Sequence, residues 1–266
     1  MHPAKGGLHW LAWASEFLGT ALLLFGGLSA VTLVFMPGSP VAARMPSVSV
    51  RLLLTGVLFG GTGSLVAVSP FGRLSGAHIN PAITFAFWIT RHVHRDDLAG
   101  YVAAQLLGGL TGFGAVYLLW GSRLSAVHFG RTVPGAGVAL PAALLIEAGM
   151  TAALVGLIFF FVSRPNTARW TPLGTWALVA MLVWHFAPIT GTSLNPARTL
   201  GPNWAAGALK VYWVYVAGPL GGAALAAAVA RLFDLRLHTA RMFDDPEYAS
   251  SLAHSNEMAA TRPRSG

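Results

Sequence analysis

Long apolar stretches dominate the hydrophobic pattern of this chain. Six of them are close to the ~20 residues that a helix needs to cross a bilayer, at positions 10–35, 50–69, 98–120, 139–163, 171–188 and 211–233. Two shorter apolar segments, 78–90 and 194–207, carry a proline near their start and are too short to cross. The pattern therefore predicts an all-α membrane protein with six transmembrane helices and two re-entrant half-helices.

The composition supports the same interpretation. Hydrophobic residues make up 55% of the 266 positions and charged residues 10%, whereas a soluble domain carries roughly 25% charged residues. The absence of cysteine excludes a disulfide scaffold, a thiol nucleophile and a zinc–thiolate site. The net charge of +8 comes from basic residues scattered between apolar runs, so we expect a lipid bilayer as the partner and not nucleic acid.

The positions of Lys and Arg predict how the chain sits in the membrane. If the amino terminus is cytoplasmic, that side holds 11 basic residues and the opposite side holds 6. Because cytoplasmic loops carry the excess of basic residues, we expect both termini inside and a multi-pass protein of the cell (plasma or inner) membrane. Residues 1–243 are predicted to form one transmembrane domain, and the polar segment 244–266 a disordered cytoplasmic tail.

The chain contains two similar halves, about 10–120 and about 139–233. Each half has three predicted spans, an acidic residue in its first span (Glu16 or Glu147) and an Asn-Pro-Ala triplet, formed by Asn80, Pro81 and Ala82 in the first half and by Asn195, Pro196 and Ala197 in the second. An odd number of spans per half inverts the second half relative to the first. Inverted repeats with broken segments are typical of a permeation site near the middle of the membrane.

The triplets predict how the two broken segments fold. Asparagine is a favoured N-cap, and proline is tolerated at the first helical position because that amide has no partner there. Each asparagine is therefore predicted at the tip of a half-helix, and the two tips are expected to meet. Their positive helix ends oppose cations and protons.

The stretch before each triplet is predicted to enter the membrane as non-helical backbone. Such backbone is tolerated at membrane depth only where it is buried in protein or lines a wet cavity. We therefore expect a ladder of pore-lining carbonyls from Gly76, Ala77, His78, Gly191, Ser193 and Leu194.

These motifs resemble those of the aquaporin and aquaglyceroporin superfamily of major intrinsic proteins. The matching residues are Ser-Gly-Ala-His-Ile-Asn-Pro-Ala at 75–82, Gly-Thr-Ser-Leu-Asn-Pro-Ala-Arg at 191–198, and the two acids Glu16 and Glu147. The resemblance covers about 10–233. It implies a passive channel, assembled as a homotetramer with one pore per subunit, that needs no cofactor and no metal.

The resemblance also implies a selectivity filter formed by Gly60, Val183, Thr192 and Arg198. Strict water channels of the family have phenylalanine and histidine at the first two of these positions, and here both are smaller residues. We therefore expect a wider and more apolar constriction that admits glycerol-sized uncharged solutes. A shift of one residue would instead place Phe59 in the pore, and a shift of two would place His185 there.

The residues around the filter resemble the nodulin-like intrinsic subgroup most closely. Thr199 stands where typical glycerol facilitators have aspartate, while Tyr215-Val216 and Pro-Ile-Thr-Gly at 188–191 match the nodulin-like pattern. Members of that subgroup pass water, glycerol and small neutral acids of metalloids. The sequence leaves the physiological solute open among these.

Two alternatives to a channel depend on the acids inside the spans. Glu16 or Glu147 could titrate in a proton-coupled secondary transporter, because an intramembrane carboxylate is a functional candidate by default. Alternatively, each could accept hydrogen bonds from the loop amides, which otherwise have no partner. A non-conducting structural membrane protein is the third possibility. We expect no enzyme, because the sequence shows no pairing of a nucleophile with a base.

Glycines at two places predict close helix packing. Gly108 and Gly112 in the third span, and Gly218 and Gly222 in the sixth, are spaced by four residues. Small residues at this spacing let helix backbones approach closely in lipid.

Overall fold

The computed structural model describes residues 9–235 and 237. Within them, six helices are long and apolar enough to cross a membrane: α1 (Trp10–Phe35), α3 (Val48–Val68), α6 (Arg95–Trp120), α8 (Leu140–Val162), α10 (Thr171–Thr190) and α12 (Val214–Leu232). All six predicted spans are confirmed, with ends that agree to within three residues. The predicted tail 244–266 lies outside the described residues.

The two half-helices begin at the predicted prolines. Helix α5 runs over Pro81–Ile89 and α11 over Pro196–Ala205. The side-chain oxygen of Asn80 accepts a hydrogen bond from the Ala82 amide at 2.9 Å, and that of Asn195 accepts one from the Ala197 amide at 2.9 Å. Each asparagine therefore satisfies an amide that the first turn leaves without a helical partner.

Short helices that the apolar pattern does not predict connect the long ones. These are α2 (Pro40–Arg44), α4 (Pro70–Ser75), α7 (Ser122–Ala126) and α9 (Pro165–Ala168). Ser69 ends α3 and caps α4, because its side chain accepts a hydrogen bond from the Gly72 amide at 3.1 Å. These helices contain four to six residues each, too few to show a hydrophobic period.

Glycines bring the long helices together in equivalent pairs. A β carbon added at Gly108 of α6 would lie 2.2 Å from the Phe17 carbonyl oxygen of α1, and one at Gly222 of α12 would lie 2.1 Å from that of Ala148 in α8. Only glycine allows these backbones to approach so closely, as the four-residue spacing predicts. The two halves meet where α3 packs on α10.

Candidate pore

One cavity of about 460 Å³ runs between the two halves. Its wall includes both asparagine tips, Asn80 and Asn195, and residues of both unwound stretches. The long helices, the loop after α7 and the half-helix α11 also contribute to this wall, with residues that include Leu23, Phe59, Gly60, Gly63, His128, Gly130, Arg131, Leu154, Val183 and Arg198. The cavity is therefore formed within one chain, as a pore at a repeat interface would be.

The two stretches before the triplets have the same unusual backbone. Ala77 and Ile79 in the first, and Thr192 and Leu194 in the second, have φ between +41° and +59°. This left-handed region is costly for residues with a β carbon and persists only where surrounding contacts hold it. The stretches thus run through the protein without helical hydrogen bonds.

The cavity wall includes most of the residues that were predicted to form the carbonyl ladder. Ala77, His78, Gly191, Ser193 and Leu194 line it. Gly76 is not among the lining residues: it ends α4 in a left-handed conformation, and its amide bonds back to the Gly72 carbonyl. In the first stretch, the residues that line the cavity therefore begin at Ala77, one residue later than predicted.

Glu16 holds the first unwound stretch. Its carboxylate, fully buried, accepts hydrogen bonds from the amides of His78 at 3.0 Å and Ile79 at 2.6 Å. It also accepts one from the Gln105 side-chain amide at 2.7 Å. These contacts favour the structural interpretation of this acid, because both of its oxygens already serve as acceptors for groups that need partners.

Glu147 holds the second stretch in the same way. It is also fully buried and accepts hydrogen bonds from the amides of Ser193 at 3.0 Å and Leu194 at 2.9 Å. The Thr190 hydroxyl donates a third bond at 2.7 Å. The two halves therefore use one carboxylate each for the same task, which favours the structural role for both acids.

The two asparagine tips meet and join the halves. The Asn80 side-chain amide donates to the Leu194 carbonyl at 2.9 Å, and that of Asn195 donates to the Ile79 carbonyl at 2.8 Å. Each amide has two hydrogens, so one remains for a partner in the cavity. This arrangement gives a molecule in the cavity two hydrogen-bond donors beside the positive ends of two helices.

Arg198 is fixed in the cavity wall. Its side chain is buried, with 7% of the residue exposed, and one guanidinium nitrogen donates to the Gly130 carbonyl at 2.8 Å. Thr192 and Val183 line the same cavity. His185 does not line it: this residue is exposed, and its ring lies 3.0 Å from the Met181 carbonyl oxygen of its own helix.

A model of the family described as "Major intrinsic protein" matches residues 6–230. The chain belongs to the major intrinsic protein family. Members of this family are passive channels for water and small solutes, so the chain is a multi-pass membrane channel and not an enzyme.

Individual relatives agree with this assignment. The chain is 35% identical over 225 residues to glycerol uptake facilitator protein-like 6 of Lactiplantibacillus plantarum, covering 83% of this chain and 96% of the relative. It is 33% identical over 216 residues to aquaporin NIP1-1 of Oryza sativa subsp. japonica, covering 80% and 70%. An X-ray structure of the aquaglyceroporin from Plasmodium falciparum shares the fold, with a TM-score of 0.70 and 22% identity over 85% of this chain and 99% of that one.

In this major intrinsic protein, Phe59 and Gly60 contribute differently to the cavity wall near Arg198. Both line the cavity, but the Arg198 guanidinium carbon lies 5.4 Å from the Phe59 ring centroid. A β carbon added at Gly60 would lie 3.1 Å from the Trp176 side chain of α10. Glycine at position 60 therefore leaves room for α10 to pack against α3. The aromatic ring beside Arg198 is that of Phe59.

Some residues that hold the unwound stretches and Arg198 in place are not predicted from the sequence. The Tyr101 hydroxyl donates to the Ser75 carbonyl at 2.7 Å and the Tyr215 hydroxyl to the Thr190 carbonyl at 2.8 Å, at the start of each unwound stretch. The repeated Tyr-Val-Ala sequence around both tyrosines was a signal for this pair. Gly130 carries no such signal, because it contributes only its backbone oxygen.

The polar groups near the loops do not form a metal site. Among residues 9–235 and 237, no group of three histidine or acidic side chains could hold a metal ion. The His78 ring lies 3.2 Å from the Thr84 hydroxyl, and the Ser193 hydroxyl lies 2.6 Å from that of Thr199. Both contacts tie an unwound stretch to the half-helix that follows it.

Proposed function

We propose that this channel passes water and small uncharged solutes, with glycerol as the first candidate, and that it excludes protons and other ions. The observation that carries the proposal is the buried guanidinium of Arg198 beside the Phe59 ring in the cavity wall. A fixed arginine donates hydrogen bonds to a neutral solute and repels cations. The ring offers an apolar surface to the carbon side of a small polyol.

The mixture of surfaces in the cavity supports a polyol over water alone. Asn80, Asn195 and Arg198 supply donors, whereas Phe59 and Val183 supply apolar wall. A pocket of this kind fixes orientation with a few polar groups and accepts the carbon skeleton on the rest. The relative named as a glycerol uptake facilitator supports glycerol. Neutral metalloid acids are further candidates, because the motifs resemble the nodulin-like subgroup.

The meeting half-helices support the exclusion of cations. The amino ends of α5 and α11 each carry about half a positive charge. Each asparagine side chain donates to the carbonyl of the residue just before the other asparagine, so both positive ends lie close together in the cavity. A cation or hydrated proton beside them would meet two unfavourable groups, the two helix ends, and Arg198 adds a third positive group to the cavity wall.

We further propose a homotetramer in the cell membrane with both termini cytoplasmic, in which residues 1–243 form the transmembrane domain of each subunit. The cavity is lined by residues of a single chain, so each subunit would carry its own pore. Mass measurement of the detergent-solubilised protein, compared with 27.9 kDa for one chain, tests the assembly.

Swelling of proteoliposomes in gradients of water, glycerol, urea and arsenite tests the function. We expect water and glycerol influx well above empty liposomes. Val183→Trp, which places a bulky ring in the cavity wall, should lower both by about tenfold or more. Met181→Trp, on the exposed face of the same helix, should leave them unchanged. Glycerol influx no faster than in empty liposomes would overturn the proposal.

A further inference from the structure

We propose that Gly27 sets the width of the cavity beside Arg198, because it lets the Phe59 ring lie back against α1. Gly27 is then a positioning residue for selectivity, although it is not itself in the cavity wall. The inference rests on the proposed function, since it concerns which uncharged solutes can pass Arg198.

The first observation is the contact between Gly27 and the ring. A β carbon added at Gly27 would lie 2.4 Å from Cε2, 2.5 Å from Cδ2 and 2.6 Å from Cζ of Phe59. All three nearest atoms belong to the ring and none to the backbone. Carbon atoms make favourable contact at about 3.5–4.0 Å, so a methyl group at position 27 must displace the ring.

The second observation is the direction in which the ring can move. On the α1 side, Phe59 packs against a buried cluster that includes Leu23, Leu24 and Leu28. Behind the next residue of α3, Trp176 fills the space, as the contacts of Gly60 show. The remaining side of the ring faces Arg198 and the cavity. A larger residue at position 27 therefore pushes the ring into the solute path and narrows it.

The neighbouring glycine provides a matched control. A β carbon at Gly26 would lie 2.6 Å from Cγ2 and 2.7 Å from Oγ1 of Thr62, also across the contact between α1 and α3. Thr62 is not among the residues that line the cavity. Gly26→Ala therefore crowds the same pair of helices without moving the ring.

Water and glycerol permeability of reconstituted variants tests the inference. Gly27→Ala should lower the ratio of glycerol to water permeability by about tenfold, a change typical of one added methyl group in a close-fitting site. Gly26→Ala should leave the ratio within about twofold of the wild type. Gly27→Ala combined with Phe59→Ala should restore glycerol flux, because the ring that blocks it is gone.

Two outcomes would overturn the inference. One is an equal loss of water and glycerol flux in Gly27→Ala that Phe59→Ala does not rescue. The other is a change of ratio in Gly26→Ala as large as in Gly27→Ala. Size-exclusion profiles and melting temperatures in detergent identify variants that do not fold.

The single variant Phe59→Ala keeps the inference testable if Gly27→Ala fails to fold. It should raise the ratio of glycerol to water permeability and admit a four-carbon polyol, and an unchanged ratio would overturn the inference. A wild type that passes water but no glycerol would refute the proposed solute instead. In that case, glycerol flux through Phe59→Ala would still support the ring as the width-setting group.

Discussion

At the residue scale, the buried carboxylates Glu16 and Glu147 replace the water that satisfies loop amides in soluble proteins. Each accepts from two consecutive backbone amides of an unwound stretch, and each is fully buried. Left-handed backbone is strained at residues other than glycine. The stretch would therefore relax to a conformation of lower energy if these hydrogen bonds were lost. The acids therefore stabilise the one backbone conformation in which the stretch can line the cavity.

Glu147→Gln should lower the stability of the folded channel. Glutamine keeps one acceptor oxygen but replaces the other with a donor, which would face the amide of Ser193 or Leu194. An unsatisfied buried group costs about 1–3 kcal/mol, so we expect a lower melting temperature in detergent. Thr151→Val is the control, because the buried Thr151 hydroxyl has no partner and its removal should be neutral. Equal melting temperatures for Glu147→Gln and wild type would contradict the structural role.

At the element scale, the fold depends on helix pairs whose backbones touch. Helix α1 packs on α6 and α8 on α12, with glycines at the closest points of each pair. These contacts place the first helix of each half, and with it Glu16 or Glu147, beside the unwound stretch that the acid holds. Helix packing at a distance from the pore thus positions the two carboxylates that accept hydrogen bonds from the loop amides.

Gly108→Ala and Gly222→Ala should therefore destabilise the protein, and Gly114→Ala and Gly221→Ala should not. The first two β carbons would lie 2.2 and 2.1 Å from a backbone oxygen of another helix, whereas the other two would meet no atom within 4 Å beyond the neighbouring turns of their own helix. Overpacking costs about 1–3 kcal/mol, while alanine in an uncrowded helix position gains up to about 1 kcal/mol over glycine. Yield and melting temperature in detergent measure both effects. Similar behaviour of all four variants would contradict the packing argument.

The long elements are predictable from the sequence because lipid demands about 20 apolar residues per span. The ends of these helices are less predictable. Helix α6 begins at Arg95, before its apolar run, because His94 caps it and Asp96 and Asp97 occupy its first turn. The residues of the selectivity filter are even harder to predict from the sequence. One residue along a helix turns a side chain by about 100°, so an offset counted from Asn80 cannot decide between Phe59 and Gly60. Which of these two residues lies beside Arg198 depends on how α3 packs against Gly27 and Trp176.

At the scale of the whole molecule, the end of the described chain contacts the first half. The His92 ring, between α5 and α6, has its Nε2 3.0 Å from the Leu237 carbonyl oxygen. Val93 and Leu237 are buried in one cluster beside it. This contact ties the segment after α12 to the end of the first half-helix, although the two residues of the hydrogen bond are 145 positions apart.

The folded protein should lose stability in acid. Burial lowers the pKa of His92 below its ordinary value, so the folded protein binds this proton less readily than the unfolded chain. Stability should then fall as the pH drops below about 6.5, where the unfolded chain takes up the proton. His92→Asn should reduce this pH dependence of the melting temperature. An unchanged pH dependence in His92→Asn would contradict the argument.

The molecule as a whole should conduct without accumulating solute. A proton-coupled transporter needs a titrating group and two alternating states. The span carboxylates Glu16 and Glu147 already accept three hydrogen bonds each from groups that fix the pore. Protonating either acid would release a loop amide and would not drive a transport step.

In proteoliposomes with an imposed pH gradient, we therefore expect internal glycerol to level off at the external concentration, whichever way the pH gradient points. The initial rate should be proportional to the glycerol gradient and should be the same for influx and efflux. Radiolabelled glycerol measures both, with Val183→Trp liposomes as the blocked control. An internal concentration that rises above the external one, and collapses when an ionophore removes the pH gradient, would establish coupling and would assign one of the two acids a titrating role.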